Sequence, residues 1–188
     1  ATVALPAATK TVRVLAPDGR ATPAQLEKGN KVLFLAKVPS VGFSVYDVQP
    51  ADAGSVPSAL TATASSLENA RYHIKLDQNG DADGIFDKKL NKELLAAPAR
   101  LAIKNDKPEE WPAWNIDWAD QQKPPRAYVS GPAKVRVVER GPVRVAVEIL
   151  RETEGSQFAQ TIRLSAGDAG NRVEFSNVID WRTSSANL

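Results

Sequence analysis

The chain has 188 residues, 43% of them hydrophobic and 24% charged, enough for one all-β domain or two small ones of ordinary globular composition. Lys and Arg total 24 against 22 Asp and Glu, and a net charge of +2 with no basic run or aromatic–basic repeat argues against nucleic acid as a partner. Apolar stretches fall far short of the ~20 residues of a membrane span, and the absence of cysteine excludes disulfides, thiol catalysis and thiolate metal sites.

The first residue is Ala, and no Met occurs. Ala1 to Lys10 lacks the positive start and apolar core of a signal peptide. A piece cut from a longer protein reads this way, and so does an exported or periplasmic protein after processing.

Residues 1–50 read as a small β segment. Thr11 to Leu15 alternates Val12 and Val14 against Arg13, and Asp18-Gly19 is a turn signal. Lys31 to Val38 is apolar enough for a buried strand, Pro39-Ser40 reads as a turn, and Gly42 to Val48 alternates again through Phe43, Val45 and Asp47. Residues 51–66, rich in Ala, Ser, Thr, Pro and Gly with no apolar period, read as a linker or long loop.

Residues 67–188 read as a β-sandwich. Arg71 to Leu76 places Tyr72, Ile74 and Leu76 on one side, Asn79-Gly80 signals a hairpin, and Gly84 to Asp87 is the return strand. Lys89 to Leu101 has room for a helical turn that Pro98 keeps short. Ala133 to Arg140, Val143 to Thr153, Phe158 to Leu164 and Arg172 to Asp180 are further strands. In the second of these Val143, Val145, Val147 and Ile149 face one way, Arg144 and Glu148 the other. Short Gly-containing turns without long helical patterns between the strands predict an all-β, antiparallel sandwich.

Few residues suggest chemistry. A nucleophile needs a base, and usually a third group to orient it. The only histidine, His73, lies mid-strand opposite the apolar face and reads as a surface strand residue. A zinc site of His and Cys would need more ligands than exist here. No catalytic or metal residue is therefore assigned. Asn79, Asp81 and Asp83 occupy the first alternating positions of a calcium loop with Gly84 at its sharp turn, but the twelfth position is Leu90 where a bidentate Glu belongs. A structural hairpin is the preferred reading of that stretch.

Trp111, Trp114 and Trp118 are three of the four tryptophans. Indole faces stack on the apolar faces of sugar rings, and neighbouring Asp and Asn can bond hydroxyls. Trp111, Trp114, Asp117 and Trp118 are accordingly candidates for carbohydrate binding or for a domain interface. Packing of the rings into the sandwich is the competing expectation. With Ala113 and Ile116 as neighbours, Trp114 would then be buried, and its loss would cost about 3–5 kcal/mol.

The ordered set Glu68-Asn69, Asp77-x-Asn79-Gly80-Asp81, Ile85-x-Asp87-Lys88, Asp106-Lys107-Pro108, Trp111-x-Ala113-Trp114-x-Ile116-Asp117, Gly141-Pro142-Val143-Arg144, Gln160-x-Ile162 and Val173-x-Phe175 to Asp180-Trp181 resembles the C-terminal β-sandwich region of glycoside hydrolase family 38 α-mannosidases. Val38-Pro39-Ser40-Val41-Gly42-Phe43 is similar to a stretch just upstream in that family. The resemblance implies a galactose mutarotase-like supersandwich, here incomplete, with one edge that another segment would cover. It implies a zinc ion and an Asp nucleophile in a separate N-terminal α/β domain. No part of this chain matches that domain, so no cofactor is expected within it. The implied role is a non-catalytic part of an α-mannosidase-type hydrolase. Its partners would be the remainder of its parent chain and a glycan or mannoside substrate, with no nucleic acid and no membrane. A stand-alone carbohydrate-binding module using the tryptophan loop is the alternative. A mutarotase-like enzyme would want acid and base groups, usually histidines with a carboxylate, which a lone His73 does not supply.

Overall fold

Side chains alternate across a β-strand, so a strand with apolar residues at every second position has one face to bury. Among the described residues such faces close on one another in three places. The structure is a computed structural model and describes residues 3–6, 9–52, 59–112 and 114–188.

The first cluster belongs to β1 (Thr11–Leu15), β2 (Ala21–Thr22), β3 (Ala24–Glu27), β4 (Lys31–Phe34) and β5 (Asp47–Ala51). β2, β1 and β5 form one antiparallel sheet, β3 and β4 a hairpin, and Val12, Val14, Ala24 and Val32 are buried between them. The run expected to be a strand from Lys31 to Val38 stops at Phe34, and the strand expected over Gly42–Val48 starts only at Asp47. Pro39 has no backbone donor, and Gly42 takes a positive φ of 131°, so the intervening chain cannot hold a ladder. Val41 and Phe43 stand 93% and 84% exposed on this loop. The Tyr46 hydroxyl closes its base, accepting from the Lys37 N–H at 2.6 Å.

Of the stretch expected as a linker, residues 53–58 lie outside the described residues. Thr61–Ala62 is strand β6 and Ser66 opens β7 (Ser66–Glu68). These join β8 (Tyr72–Leu76), β9 (Ala82–Asp87) and β10 (Lys92–Glu93) in an antiparallel sheet ordered β10-β9-β8-β7-β6. The helical turn anticipated within Lys89–Leu101 is replaced by β10. Glu93 fixes that strand end, its Oε1 accepting from the N–H groups of Ile85, Leu94 and Leu95.

Next come β11 (Ala102–Asn105), the single-turn helix α1 (Trp118–Gln121) and β12 (Ala127–Tyr128). The second large sheet is a meander of β13 (Lys134–Arg140), β14 (Arg144–Thr153), β15 (Ser156–Ser165) and β16 (Glu174–Asp180). β17 (Ala186–Asn187) returns to pair with β11, and Ile103, Val129 and Phe158 are buried beneath that small sheet.

The two large sheets pack face to face as an antiparallel β-sandwich. Leu67, Tyr72, Ile74, Leu76, Ala82 and Ile85 come from one sheet, and Val145, Val147, Ile149, Ile162 and Leu164 from the other. The turn after β8 fits closely against β14. Gly80 has φ +77°, and a Cβ there would lie 2.5 Å from Ile149 Cγ2. Asp77 shapes the same turn, its Oδ1 accepting from the N–H groups of Asn79 and Asp81.

Continuing the inward parity of β14 past Ile149 leads to Arg151, whose side chain is fully buried. It donates to Asp81 Oδ1 at 2.5 Å and to Gln160 Oε1 at 3.2 Å, and Arg100 lies 3.6 Å from the other Asp81 oxygen. Gln25 links the first five strands to the sandwich. Its Oε1 accepts from the Val143 N–H at 3.1 Å and the Arg144 N–H at 2.8 Å, and a Cβ at Gly141 would overlap its side chain.

Removing one partner of a buried pair strands the other charge in low dielectric. Asp81→Ala and Arg151→Ala are each expected to lose about 3–5 kcal/mol in chemical denaturation. The double variant should lose less than the sum of the two.

Candidate functional site

The residues between β11 and β12 carry the tryptophans. The loop is held at its base and open at its tip. Lys104 Nζ donates to the Gln121 carbonyl at 2.5 Å, and the Asp106 N–H donates to the Ser185 carbonyl at 3.0 Å. Trp111 adopts a left-handed φ of 56°, and its carbonyl accepts from the N–H groups of Trp114 and Asn115 in a tight turn. Asn115 Nδ2 donates to Asp117 Oδ1 at 2.8 Å, and the Asp117 carbonyl accepts from the N–H groups of Asp120 and Gln121 to start α1.

This architecture turns the indoles outward. Trp111 is 71% exposed, Trp114 91% and Trp118 75%, with Ile116 also exposed. The expectation that these rings pack into the sandwich is therefore wrong. The loop has too few apolar partners to bury them, because the sandwich core is already closed by aliphatic residues of the two large sheets. The structure places Trp111, Trp114, Asp117 and Trp118 on one loop with the three indoles exposed. The fourth tryptophan, Trp181, instead packs edge-on to Phe158 with centroids 6.3 Å apart.

The other candidates resolve into scaffold. His73 sits half-buried on β8, opposite Glu68 and Phe86 in the neighbouring strands. In the calcium-like stretch, Asp81 is engaged by Arg151 and Arg100, so both its carboxylate oxygens are paired with guanidinium groups of the sandwich. Among the described residues no three of His, Cys, Asp and Glu converge on a common point, so this part of the chain does not fit a zinc ion.

Glu68-Asn69 and Asp87-Lys88, far apart in sequence, meet in one polar knot. Asn69 Oδ1 accepts from the N–H groups of Arg71 and Tyr72, and Asn69 Nδ2 donates to the carbonyls of Ser165 and Gly170. Lys88 bridges Glu68 at 2.7 Å and donates to the Asn69 carbonyl at 2.6 Å. Arg71 pairs with Asp87 at 3.0 Å and reaches Asn171 at 3.2 Å. Burial alone would raise the Asp87 carboxyl, but the Arg71 guanidinium and the N–H groups of Leu90 and Lys89 together outweigh it and hold the group below its ordinary value. The Lys88 ammonium does the same for Glu68 against an opposing effect of burial. Sequence reading missed the partners Gln25, Arg151, Asn171 and Gln160. Strand parity identifies Arg151 on β14 and Gln160 on β15 as inward; Gln25, on the short β3, and Asn171, outside any strand, make contacts that no local pattern signals.

The fold is thus an antiparallel β-sandwich. The family model described as "Glycosyl hydrolases family 38 C-terminal domain" matches residues 67–187, and the chain belongs to that family. Two solved structures from Enterococcus faecalis share the fold. One is an alpha-mannosidase, with a TM-score of 0.61, and the other a protein of glycosyl hydrolase family 38, with a TM-score of 0.62. Each is 14% identical over 95% of this chain. The chain spans about a quarter of their length, 26% in each case. No curated protein matches the chain at a significant level. Among the described residues no helix is long and apolar enough to cross a membrane.

Two outcomes are expected. Trp114→Ala should leave the melting curve close to the parent, within about 0.5 kcal/mol, as for a surface residue. A carboxylate with a lowered folded pKa contributes stability that is whole above its unfolded value, about 3.9 for Asp, and lost as pH falls through the folded value. Denaturation midpoints should therefore decline below about pH 4, and Asp87→Asn should lower the neutral plateau while flattening that acid decline.

Proposed function

We propose that this chain is a non-catalytic β-sandwich part of an α-mannosidase-type glycoside hydrolase. The match of the family 38 C-terminal domain across residues 67–187 carries the reading. The ionisable pairs of the sandwich support it. Asp81, Asp87, Glu68 and Glu139 are each tied to an arginine or lysine, an arrangement suited to holding sheets together and unsuited to passing protons to a substrate. On this reading the zinc ion and the nucleophilic carboxylate implied by the family resemblance belong to another part of the same protein. The sandwich supports that part, and α-mannosides are the substrates of the whole. The test is hydrolysis of an aryl α-mannoside. The 188-residue chain alone should release no aglycone above the buffer rate, and turnover by it would overturn the assignment.

A second reading rests on the three exposed indoles. In it, the loop carrying Trp111, Trp114, Asp117 and Trp118 contacts the glycan directly, the rings stacking on sugar faces and Asp117 accepting from hydroxyls. Titration with manno-oligosaccharides should then shift tryptophan emission in the parent, and Trp114→Ala should abolish the shift. A silent titration would leave the loop as a docking surface for the rest of the protein.

A further inference from the structure

Asn-Gly occurs once in the sequence, at Asn79-Gly80. Asparagine is chemically labile, and a following glycine has no side chain to shield its backbone nitrogen or restrict its rotation. In deamidation the Gly80 nitrogen gives up its proton and attacks the Asn79 side-chain carbon. Ammonia leaves and a five-membered imide closes. Water then opens the imide at either of its two carbonyls, leaving aspartate or isoaspartate. Water is the only co-reactant.

The attacking atom is tied down in the folded chain. The Gly80 N–H donates to the Asp77 carbonyl at 3.0 Å. Asp77 Oδ1 holds the amides on either side, that of Asn79 at 2.8 Å and that of Asp81 at 2.9 Å. Gly80 is buried, and the contact that leaves no room for a Cβ beside Ile149 also resists any rotation of its peptide unit.

A second turn separates the effect of packing from that of hydrogen bonding. At Asp18-Gly19 the glycine again has φ +77°, and its N–H donates to the Ala16 carbonyl at 2.9 Å. The Ala16 N–H bonds the Arg20 carbonyl at 2.8 Å, as the Asp77 N–H bonds the Asp81 carbonyl at 3.0 Å. Nothing lies within 4 Å of a Cβ built at Gly19. The two turns share a backbone pattern, and one of them is packed.

We propose that Asn79 is a modification site kept latent by the sandwich. Seating of the 77–81 turn on β14, beyond the turn's own hydrogen bonds, holds deamidation off, and opening of the turn starts it. The isoaspartate product has one extra main-chain carbon before Gly80. That carbon displaces Gly80 from Ile149 and Asp81 from Arg151, so the modified turn cannot close again. This goes beyond the hydrolase reading and does not rest on it.

Peptide mapping by mass spectrometry follows Asn79 in mildly alkaline buffer, with the 188-residue chain folded and with it in urea above its unfolding midpoint. Deamidation in the folded chain should be at least roughly a hundredfold slower than in urea, because the turn must open first. Asp18→Asn places Asn-Gly in the open turn. Position 18 should then deamidate in the folded chain within about tenfold of its rate in urea, while Asn79 in the same molecule stays intact. Circular dichroism confirms that both chains are folded during the incubation. The isoaspartate-containing chain, separated by ion exchange, should melt below the parent. A folded rate at Asn79 equal to that in urea, equal protection at positions 18 and 79, or an unchanged melting midpoint after modification would each overturn the proposal.

Discussion

The closeness of the 77–81 turn to β14 governs the rest of the structure. Gly80 lets the turn lie directly on Ile149, and one residue later Asp81 meets Arg151 from the same strand. These adjacent contacts, one apolar and one ionic, fix both the spacing of the two sheets and their lateral register. A sandwich held only by aliphatic side chains could slide by one strand position with modest loss. A buried ion pair with a further bond to Gln160 cannot, since any slip would leave a charge without a partner in low dielectric.

The parts of this architecture legible in the sequence are those set by local alternation. Tyr72, Ile74 and Leu76 are buried as their parity requires, and so are Val145, Val147 and Ile149. The Asn79-Gly80 turn falls where it was expected. Reading failed where hydrophobicity did not coincide with a ladder. Phe43 and Val45, read as part of an alternating strand from Gly42 to Val48, instead lie in an exposed loop set by Pro39 and the positive φ of Gly42. The short strands β2 and β3 carry too few residues to show a period. Trp114 illustrates the same limit at the candidate site, because an indole among apolar neighbours is buried only if a second surface is present to cover it.

Several of the ordered motifs that resemble the family are structural joints. Glu68-Asn69 and Asp87-Lys88 knot the five-stranded sheet to the turn after β15, Gly141-Pro142-Val143-Arg144 receives Gln25, and Gln160 supports Arg151. Polar residues in this domain thus mainly close backbone ends and neutralise one another.

Gln25 has a wider consequence. Its single side-chain oxygen satisfies two amides at the start of the longest hairpin, from a position more than a hundred residues earlier in the chain. Proteolytic removal of the first small lobe would strand both donors beside the core residue Val145. Gln25 therefore couples the small lobe to the hairpin of β14 and β15 through two backbone amides.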